Sequence, residues 1–302
     1  MFDPFMKIKK IVNSFAVRVV KHMAPSLSDE LYTRIMFWLK VGYRLDLKHP
    51  TTFFEKIQWL KLYDHRPEYT IMADKQAVKE WVSDRVGEGH VVPTLGVWEN
   101  VDDIDYDSLP ESFVLKTTHD NGGGVICPDK KNFNRQAAEK KLRFHMNRDF
   151  YAYTKEWPYK NIPRRIIAEK YLENESGSLI DYKVFCMGGT PYFTLVVCDR
   201  YKDIRFAVYD VDWQEEPFLF DGFRHSERKI PAPRAWREMY GIAKKLSEGI
   251  PFVRVDFYEV NGQVFVGEMT FSPAAGFSKF TPNEYDLFWG SKIPLDEDSS
   301  TK

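Results

Sequence analysis

Three groups of residues in this chain have types and spacings that chemistry can use. Residues 113–125 read Phe-Val-Leu-Lys-Thr-Thr-His-Asp-Asn-Gly-Gly-Gly-Val: an apolar strand ending in Lys116, a polar loop, Gly122, Gly123 and Gly124, then a second strand. Glycines let backbone N–H groups approach an anion without a Cβ in the way, and a lysine at a strand end supplies a point charge for phosphate oxygens. The alternative is a flexible hairpin tip. It is not a Walker loop, because no Gly-Lys-Ser/Thr follows and no helix opens after it.

The second group is a pair of carboxylates, Asp256 in Val253-Arg254-Val255-Asp256-Phe257 and Glu268 in Val266-Gly267-Glu268-Met269-Thr270. Between them stands Asn261-Gly262, a strong signal for a two-residue hairpin turn. In a regular hairpin Val260 faces Gln263, and the pairing runs outward until Asp256 lies opposite Gly267, one residue from Glu268. Neighbouring carboxylates repel unless a cation sits between them, and oxygen-only ligands suit Mg²⁺ better than zinc. The alternative is a structural ion pair with Arg254 or another base.

The third group is Glu169-Lys170-Tyr171-Leu172 at one strand end and Asp181-Tyr182-Lys183-Val184-Phe185 at the start of another. Each could offer backbone amides and an apolar wall to a purine, or be an ordinary solvated strand end. Asp210-Val211-Asp212 is a D-x-D, the triplet with which many nucleotide-sugar glycosyltransferases hold a metal, and it fits a hairpin tip equally well. The signatures of serine hydrolases, zinc peptidases and ordinary dinucleotide-binding folds are absent.

The elements that must position these residues follow from period and punctuation. Residues 26–90 read as mostly helical, with a helix from Ser28 or Asp29 through Lys40, another opening at Thr51-Thr52, and a third over 74–82. Strands are predicted over 91–98, 112–116, 125–127 and 165–172, with a helix over 135–147 among them. A meander follows at 181–187, 191–198 and 205–211, then a helix over 233–248 and the hairpin of 252–260 with 264–269. This is α+β architecture, without the regular alternation of a doubly wound sheet. The tail 296–302 is expected to fray.

The chain has 302 residues, 43 Lys plus Arg against 44 Asp plus Glu, and a net charge of −1. That composition describes a folded protein and leaves no overall excess of charge for a nucleic-acid backbone. Cys127, Cys186 and Cys198 are too few and too scattered for a disulfide framework, which implies a reducing, cytoplasmic setting. Residues 1–22 carry five basic residues and one acid, a net charge of +4, with Ile8, Ile11, Val12, Phe15 and Val19 at helical spacing. A helix packed on the protein's own core is the commoner outcome of such a pattern. Peripheral contact with an anionic membrane at the inner face is the alternative.

Taken in order, Asp74-Lys75, Lys116 before its glycine loop, Glu169-Lys170-Tyr171-Leu172, Lys183, Arg254-x-Asp256 and Glu268 resemble the ATP-grasp superfamily. The segments 54–61, 73–75, 116–123 and 267–273 look more narrowly like its TupA-like branch, whose members are associated with cell-surface polysaccharide and teichuronopeptide synthesis. The resemblance implies two α+β lobes gripping a nucleotide: a helical N-terminal region at 1–62 and an ATP-grasp domain at 63–302, with a lid lobe at about 113–172 and a second lobe at about 179–290. Lys75 and Lys116 would contact the phosphates of ATP, and Gly122, Gly123 and Gly124 would close over them. Glu169, Lys170, Tyr171 and Leu172 would form the hinge against adenine. Lys183 would reach the phosphates from the second lobe, Asp256 and Glu268 would bridge Mg²⁺, and Arg254 would face the transferred phosphoryl group or the substrate carboxylate. Thr270 stands where many relatives carry a metal-binding asparagine, as a third oxygen ligand. Ser272, Pro273, Gly276, Phe277 and Lys279 would contact the acceptor.

The activity so implied is a carboxylate–amine ligase working through an acyl phosphate, joining an amino acid to a uronic acid or related saccharide carboxylate. The other readings are a metal-dependent glycosyltransferase using Asp210 and Asp212, and an ATP-binding module without ligase activity.

Overall fold

The computed structural model describes residues 4–173, 179–198 and 203–295, with side chains from residue 13 onward. The tail 296–302, the polar break 174–178 and the side chains of Ile8, Ile11 and Val12 lie outside the described residues. Five helices open the chain: α1 (Pro4–Met23), α2 (Asp29–Val41), α3 (Phe53–Tyr63), α4 (Glu68–Ala73) and α5 (Ala77–Val86). Ser28 caps α2, and Thr52 with Glu55 forms a capping box on α3. The helix expected over 74–82 starts only at Ala77. The buried Asp74 is held by Arg165 at 2.6 Å and accepts from the Gln76 N–H at 2.9 Å, which breaks the helical run between α4 and α5.

The first sheet comprises β1 (Thr94–Trp98), β2 (Phe113–Thr117) and β3 (Val125–Cys127), followed in the chain by α6 (Arg135–Met146) and α7 (Phe150–Thr154), and then β4 (Ile166–Lys170). Its order is β1-β4-β2-β3, all antiparallel. β1 begins after Pro93, which has no N–H to give a ladder. Phe113, Leu115, Ile166 and Ala168 face one way and pack with Leu142 of α6. Val114, Lys116 and Glu169 face the other way, so α6 covers one side of the sheet and leaves the other for a ligand.

The second sheet contains the meander β5 (Asp181–Met187), β6 (Thr190–Cys198) and β7 (Arg205–Asp210). After the short β8 (Leu219–Phe220) and α8 (Trp236–Leu246) come β9 (Phe252–Val260) and β10 (Gln263–Thr270), giving the order β10-β9-β5-β6-β7. Then β11 (Phe280–Thr281), paired with β8, and α9 (Glu284–Gly290) close the described chain. α7, β8, β11 and α9 have no clear sequence signal because they are too short to develop a period.

The two faces of this sheet have different partners. Val184, Val253, Val255 and Phe257 pack with Val78 and Val82 of α5 and with Met239, Ile242 and Leu246 of α8. On the opposite face Phe185 and Phe252 meet Phe53 of α3, with ring centroids 6.5 and 5.2 Å away, inside a larger aromatic core that includes Phe54, Phe193, Phe220 and Phe280. Each such ring withdraws enough apolar surface to contribute about 2–3 kcal/mol. Farther along that same face the aromatic residues give way to Lys183, Asp256 and Glu268, so the core that anchors the sheet runs directly into a charged row.

Candidate active site

A cavity of about 620 Å³ lies between the uncovered face of the first sheet and the charged end of the second. It is lined by Lys75, Lys116, Gly122, Gly123, Gly124, Glu169, Lys170, Tyr171, Leu172, Lys183, Arg254, Asp256 and Glu268. The acceptor candidates Ser272, Pro273, Gly276, Phe277 and Lys279 do not line it. Of the nucleotide, metal and catalytic residues named from sequence only Thr270 is not on its wall. It sits just behind, its hydroxyl accepting from Arg254 at 3.0 Å.

One wall is the glycine hairpin. Its shape is fixed by Asp120, which is fully buried and takes hydrogen bonds from Thr117 and from Nδ1 of His145 on α6. The Lys75 ammonium donates to the Asp120 carbonyl, and Lys141 donates to the Gly124 carbonyl at 2.5 Å. Gly122 adopts a φ of +92°, and a Cβ on Gly123 would run into the Thr117 hydroxyl. Two of the three glycines are therefore demanded by conformation or close approach, and the result is a braced loop beside two lysines.

Behind this loop Glu169 binds Lys116 at 2.5 Å and Lys79 of α5 at 2.6 Å. Burial alone would raise its carboxyl, but the two ammonium groups outweigh burial and hold it below the usual carboxylate range. Glu169 thus aims Lys116, while Lys170, Tyr171 and Leu172 extend the wall beyond it. Lys79 is absent from the sequence reading; its position one helical turn after Lys75 was the available signal.

The opposite wall is the carboxylate row. Lys183, Asp256 and Glu268 stand directly opposite one another on β5, β9 and β10. The regular hairpin expected from Asn261-Gly262 holds from Gln263 to Val266 and then slips by one residue. The slip is a β-bulge at Gly267, where a Cβ would come within 2.7 Å of the Tyr258 ring. Asp256 therefore faces Glu268 rather than Gly267. The bulge also switches faces: Val264, Val266 and Met269 point into the core with α5 and α8, and Glu268 points into the cavity. Without it Glu268 would share the buried face of Val266.

Asp256 is gripped by both nitrogens of the Arg254 fork, at 2.6 and 2.8 Å, and by Lys183. Burial would push its carboxyl up, and Arg254 and Lys183 more than reverse that. Glu268 has no hydrogen bond or ion pair among the described residues. Close to it lie Tyr159 and the buried Glu156, which faces Lys61. Burial pushes the Glu156 carboxyl up and the Lys61 amine down, the opposite charge offsetting only part of each. Lys61 and Gln58 donate to the carbonyls of Ala275 and Gly276 at 3.0 and 2.6 Å, holding the stretch Ala274, Ala275 and Gly276 at positive φ just past β10.

Asp210 and Asp212 lie away from the cavity at the end of β7, the far edge of the second sheet. The Asp210 carboxylate accepts from the N–H groups of Asp212 and Gln214 at 2.9 and 2.7 Å and shapes the turn that carries Trp213 at a φ of +59°.

A family model described as TupA-like ATPgrasp matches residues 55–294. The chain belongs to the TupA-like ATP-grasp family. Its fold is accordingly the α+β ATP-grasp fold, preceded by a helical N-terminal region. No curated protein matches the chain. Solved structures with partial similarity include the D-alanine–D-alanine ligase of Helicobacter pylori (14% identity, TM-score 0.37, 74% of this chain and 62% of that one). Others are the Bacillus anthracis D-alanine–D-alanine ligase complexed with ATP (15%, 0.40, 67% and 55%) and a RimK domain ATP-grasp protein from Sphaerobacter thermophilus (12%, 0.41, 74% and 69%). The chain spans less than two thirds of the length of the two D-alanine–D-alanine ligases.

The residues present fit a magnesium ion. Among the described residues no three His, Cys, Asp or Glu side chains gather as a metal site, but Mg²⁺ with a nucleotide takes one or two carboxylates and completes its shell with phosphate oxygens and water. Asp256 and Glu268, opposite each other on a cavity wall, supply such a pair.

Proposed function

We propose that this protein is an ATP- and Mg²⁺-dependent ligase that joins a carboxylate to an amine through an acyl phosphate. The observation that carries the reading is the meeting, across one cavity, of a braced glycine loop with Lys75 and Lys116 on one wall and the Lys183, Asp256, Glu268 row on the other. In this reading residues 1–62 are a helical N-terminal region and 63–302 the catalytic unit, its lid lobe at about 113–172 and second lobe at about 179–290. The phosphates of ATP lie under Gly122, Gly123 and Gly124, against Lys75, Lys116 and Lys183. Adenine rests against Lys170, Tyr171 and Leu172. Asp256 and Glu268 hold the magnesium, which when bound offsets charge on the phosphate oxygens; Thr270 supports it through Arg254.

A carboxylate is a poor electrophile. Attack of its oxygen on the γ-phosphorus breaks the bond to the β-bridging oxygen, releases ADP and leaves an acyl phosphate. The amine then adds to the carbonyl carbon, inorganic phosphate departs with the electron pair of its ester bond, and the nitrogen loses a proton. Lys116 and Lys183 stabilise charge on the phosphoryl oxygens, and Arg254 orients the substrate carboxylate or the transferring group. Closure of the cavity walls keeps water from the acyl phosphate. The acceptor lies against 272–279, at the loop that Gln58 and Lys61 hold.

The family's association with surface polysaccharide favours a uronic acid or related saccharide carboxylate and an amino acid as the substrates. An enzyme that spends ATP works where ATP is made, and the three free thiols, all buried, agree with a cytoplasmic site. The glycosyltransferase reading loses its footing at Asp210, whose carboxylate is used by its own turn.

The test is hydroxylamine trapping. Protein, ATP and Mg²⁺ are incubated with uronic acids and hydroxylamine, and ADP and hydroxamate are measured together. Equal amounts of both are expected; turnover of a UDP-sugar with no ADP from any acid would overturn the proposal.

A further inference from the structure

Of the expected apolar stripe on α1, the described residues Phe15 and Val19 do not face the core. The helix packs on the molecule through Val17 and Val20 and through Asn13, which donates to the Leu39 carbonyl at 3.3 Å. Phe15 and Val19 point to solvent, Phe15 with 69% of its surface exposed. Next to them opens a second concavity, a cleft of about 800 Å³ between α1, α6 and α7. Arg18, Lys21 and His22 line one side, Arg143, Phe144, Asn147 and Arg148 the other, with Tyr153 from α7. No carboxylate lines it. Arg143 is committed to Asp102, but among the described residues no carboxylate lies within ion-pair distance of Arg18, Lys21 or Arg148. Phe144 stands at the rim 67% exposed.

We infer that this cleft and the exposed Phe15 and Val19 of α1 form a docking surface for an anionic membrane, with lipid phosphates seated among Arg18, Lys21 and Arg148 and with Phe15, Val19 and Phe144 dipping into the acyl boundary. Charge complementarity singles out this occupant. Residues 1–22 carry +4 while the rest of the chain carries −5, so the charge of a nearly neutral protein is segregated to one end, which an anionic surface orients. The mixture matters as well. Cations alone fit any polyanion, but exposed aromatic and aliphatic side chains among them fit a surface with phosphate outside and hydrocarbon beneath. No described helix is long and apolar enough to cross a membrane, so this contact is peripheral. None of the cleft residues lines the 620 Å³ cavity, and the inference stands independently of the reaction proposed there.

The experiment is co-sedimentation of the full chain with vesicles of phosphatidylcholine alone and of phosphatidylcholine mixed with phosphatidylglycerol, for the wild type, the double variant Lys21→Glu/Arg148→Glu and Phe144→Ser. Binding to the mixed vesicles alone is expected, weakened by raised salt. The double variant, which removes two positive charges and adds two negative ones, should bind at least about 30-fold more weakly, roughly fivefold for each basic residue taken from an anionic surface. Phe144→Ser should weaken binding by about tenfold through lost insertion. The wild-type comparison of the two vesicles tests the lipid preference, and undiminished binding by both variants would place the contact elsewhere and overturn the inference. Equal binding to neutral vesicles, no binding to either, a duplex oligonucleotide bound in preference to vesicles, or a concentration-dependent dimer in their place overturns the inference.

Discussion

Replacing Glu268 by Gln should leave the free protein nearly unchanged and weaken its stabilisation by nucleotide. Directly opposed strand residues have Cβ atoms about 5 Å apart, which puts the carboxylates of Asp256 and Glu268 at roughly 6 Å. At an effective dielectric constant of about 20 two unit charges at that separation repel by about 3 kcal/mol. Most of that is cancelled already, because Arg254 and Lys183 neutralise Asp256 and Arg254 also attracts Glu268. Removing the Glu268 charge relieves the repulsion from Asp256 and forfeits the attraction of Arg254, so the Tm of the free protein should move by no more than about 1–2 °C. With Mg²⁺ and ATP at about a hundred times Kd, mass action stabilises the wild type by about 2.7 kcal/mol. The variant offers one metal carboxylate fewer, and a tenfold loss of affinity halves that gain. Differential scanning fluorimetry with and without Mg·ATP reads both effects. An undiminished shift with Mg·ATP would refute the reasoning.

Three further outcomes follow from the same geometry. Glu169→Gln leaves Lys116 and Lys79 without their buried counter-charge and should cost about 3 kcal/mol in denaturant unfolding; because the wild-type carboxyl is held low, its contribution is present above the ordinary carboxylate pKa and lost as pH falls, a loss the variant will not show. Gly123→Ala drives a methyl group into the Thr117 hydroxyl and breaks its bond to Asp120, so it should destabilise by about 1–3 kcal/mol and weaken ATP binding measured by calorimetry, whereas Gly124→Ala, with open space around it in the free protein, should leave stability unchanged. Asp286, buried beside α3 with Oδ2 unpartnered, has its carboxyl pushed up by burial to about 6. Its stabilising effect is complete below pH 4 and disappears as pH rises through 6, a span of roughly 3 kcal/mol; Asp286→Asn should match the wild type at pH 4 and exceed it in Tm at pH 7, and parallel curves would contradict this.

Much of the cavity is legible in the sequence because its residues sit on elements with strong local signals. Lys116 ends a clear apolar strand before three glycines, and Asp256 lies on a hairpin fixed by Asn261-Gly262. What the sequence hides is set by single-residue geometry or by long-range contact. The bulge at Gly267 depends on the ring of Tyr258 across the hairpin, and it decides which face Glu268 takes. The brace on the glycine loop joins Asp120 to His145 across an intervening strand and most of a helix. Lys79 becomes part of the site only because β4 brings Glu169 to it. On α1 the periodicity gives the helix but not where Phe15 and Val19 point, since any apolar stripe reads the same against a core or a membrane.

The central claim is that the space between the two sheets holds Mg·ATP, and a crystal structure of the protein with ADP and Mg²⁺ tests it most directly. The account predicts phosphates beneath Gly122 and Gly123 within reach of Lys75 and Lys116, adenine against Tyr171 and Leu172, and magnesium between Asp256 and Glu268. Nucleotide bound elsewhere, or a metal held at Asp210 and Asp212 with this cavity empty, would contradict it.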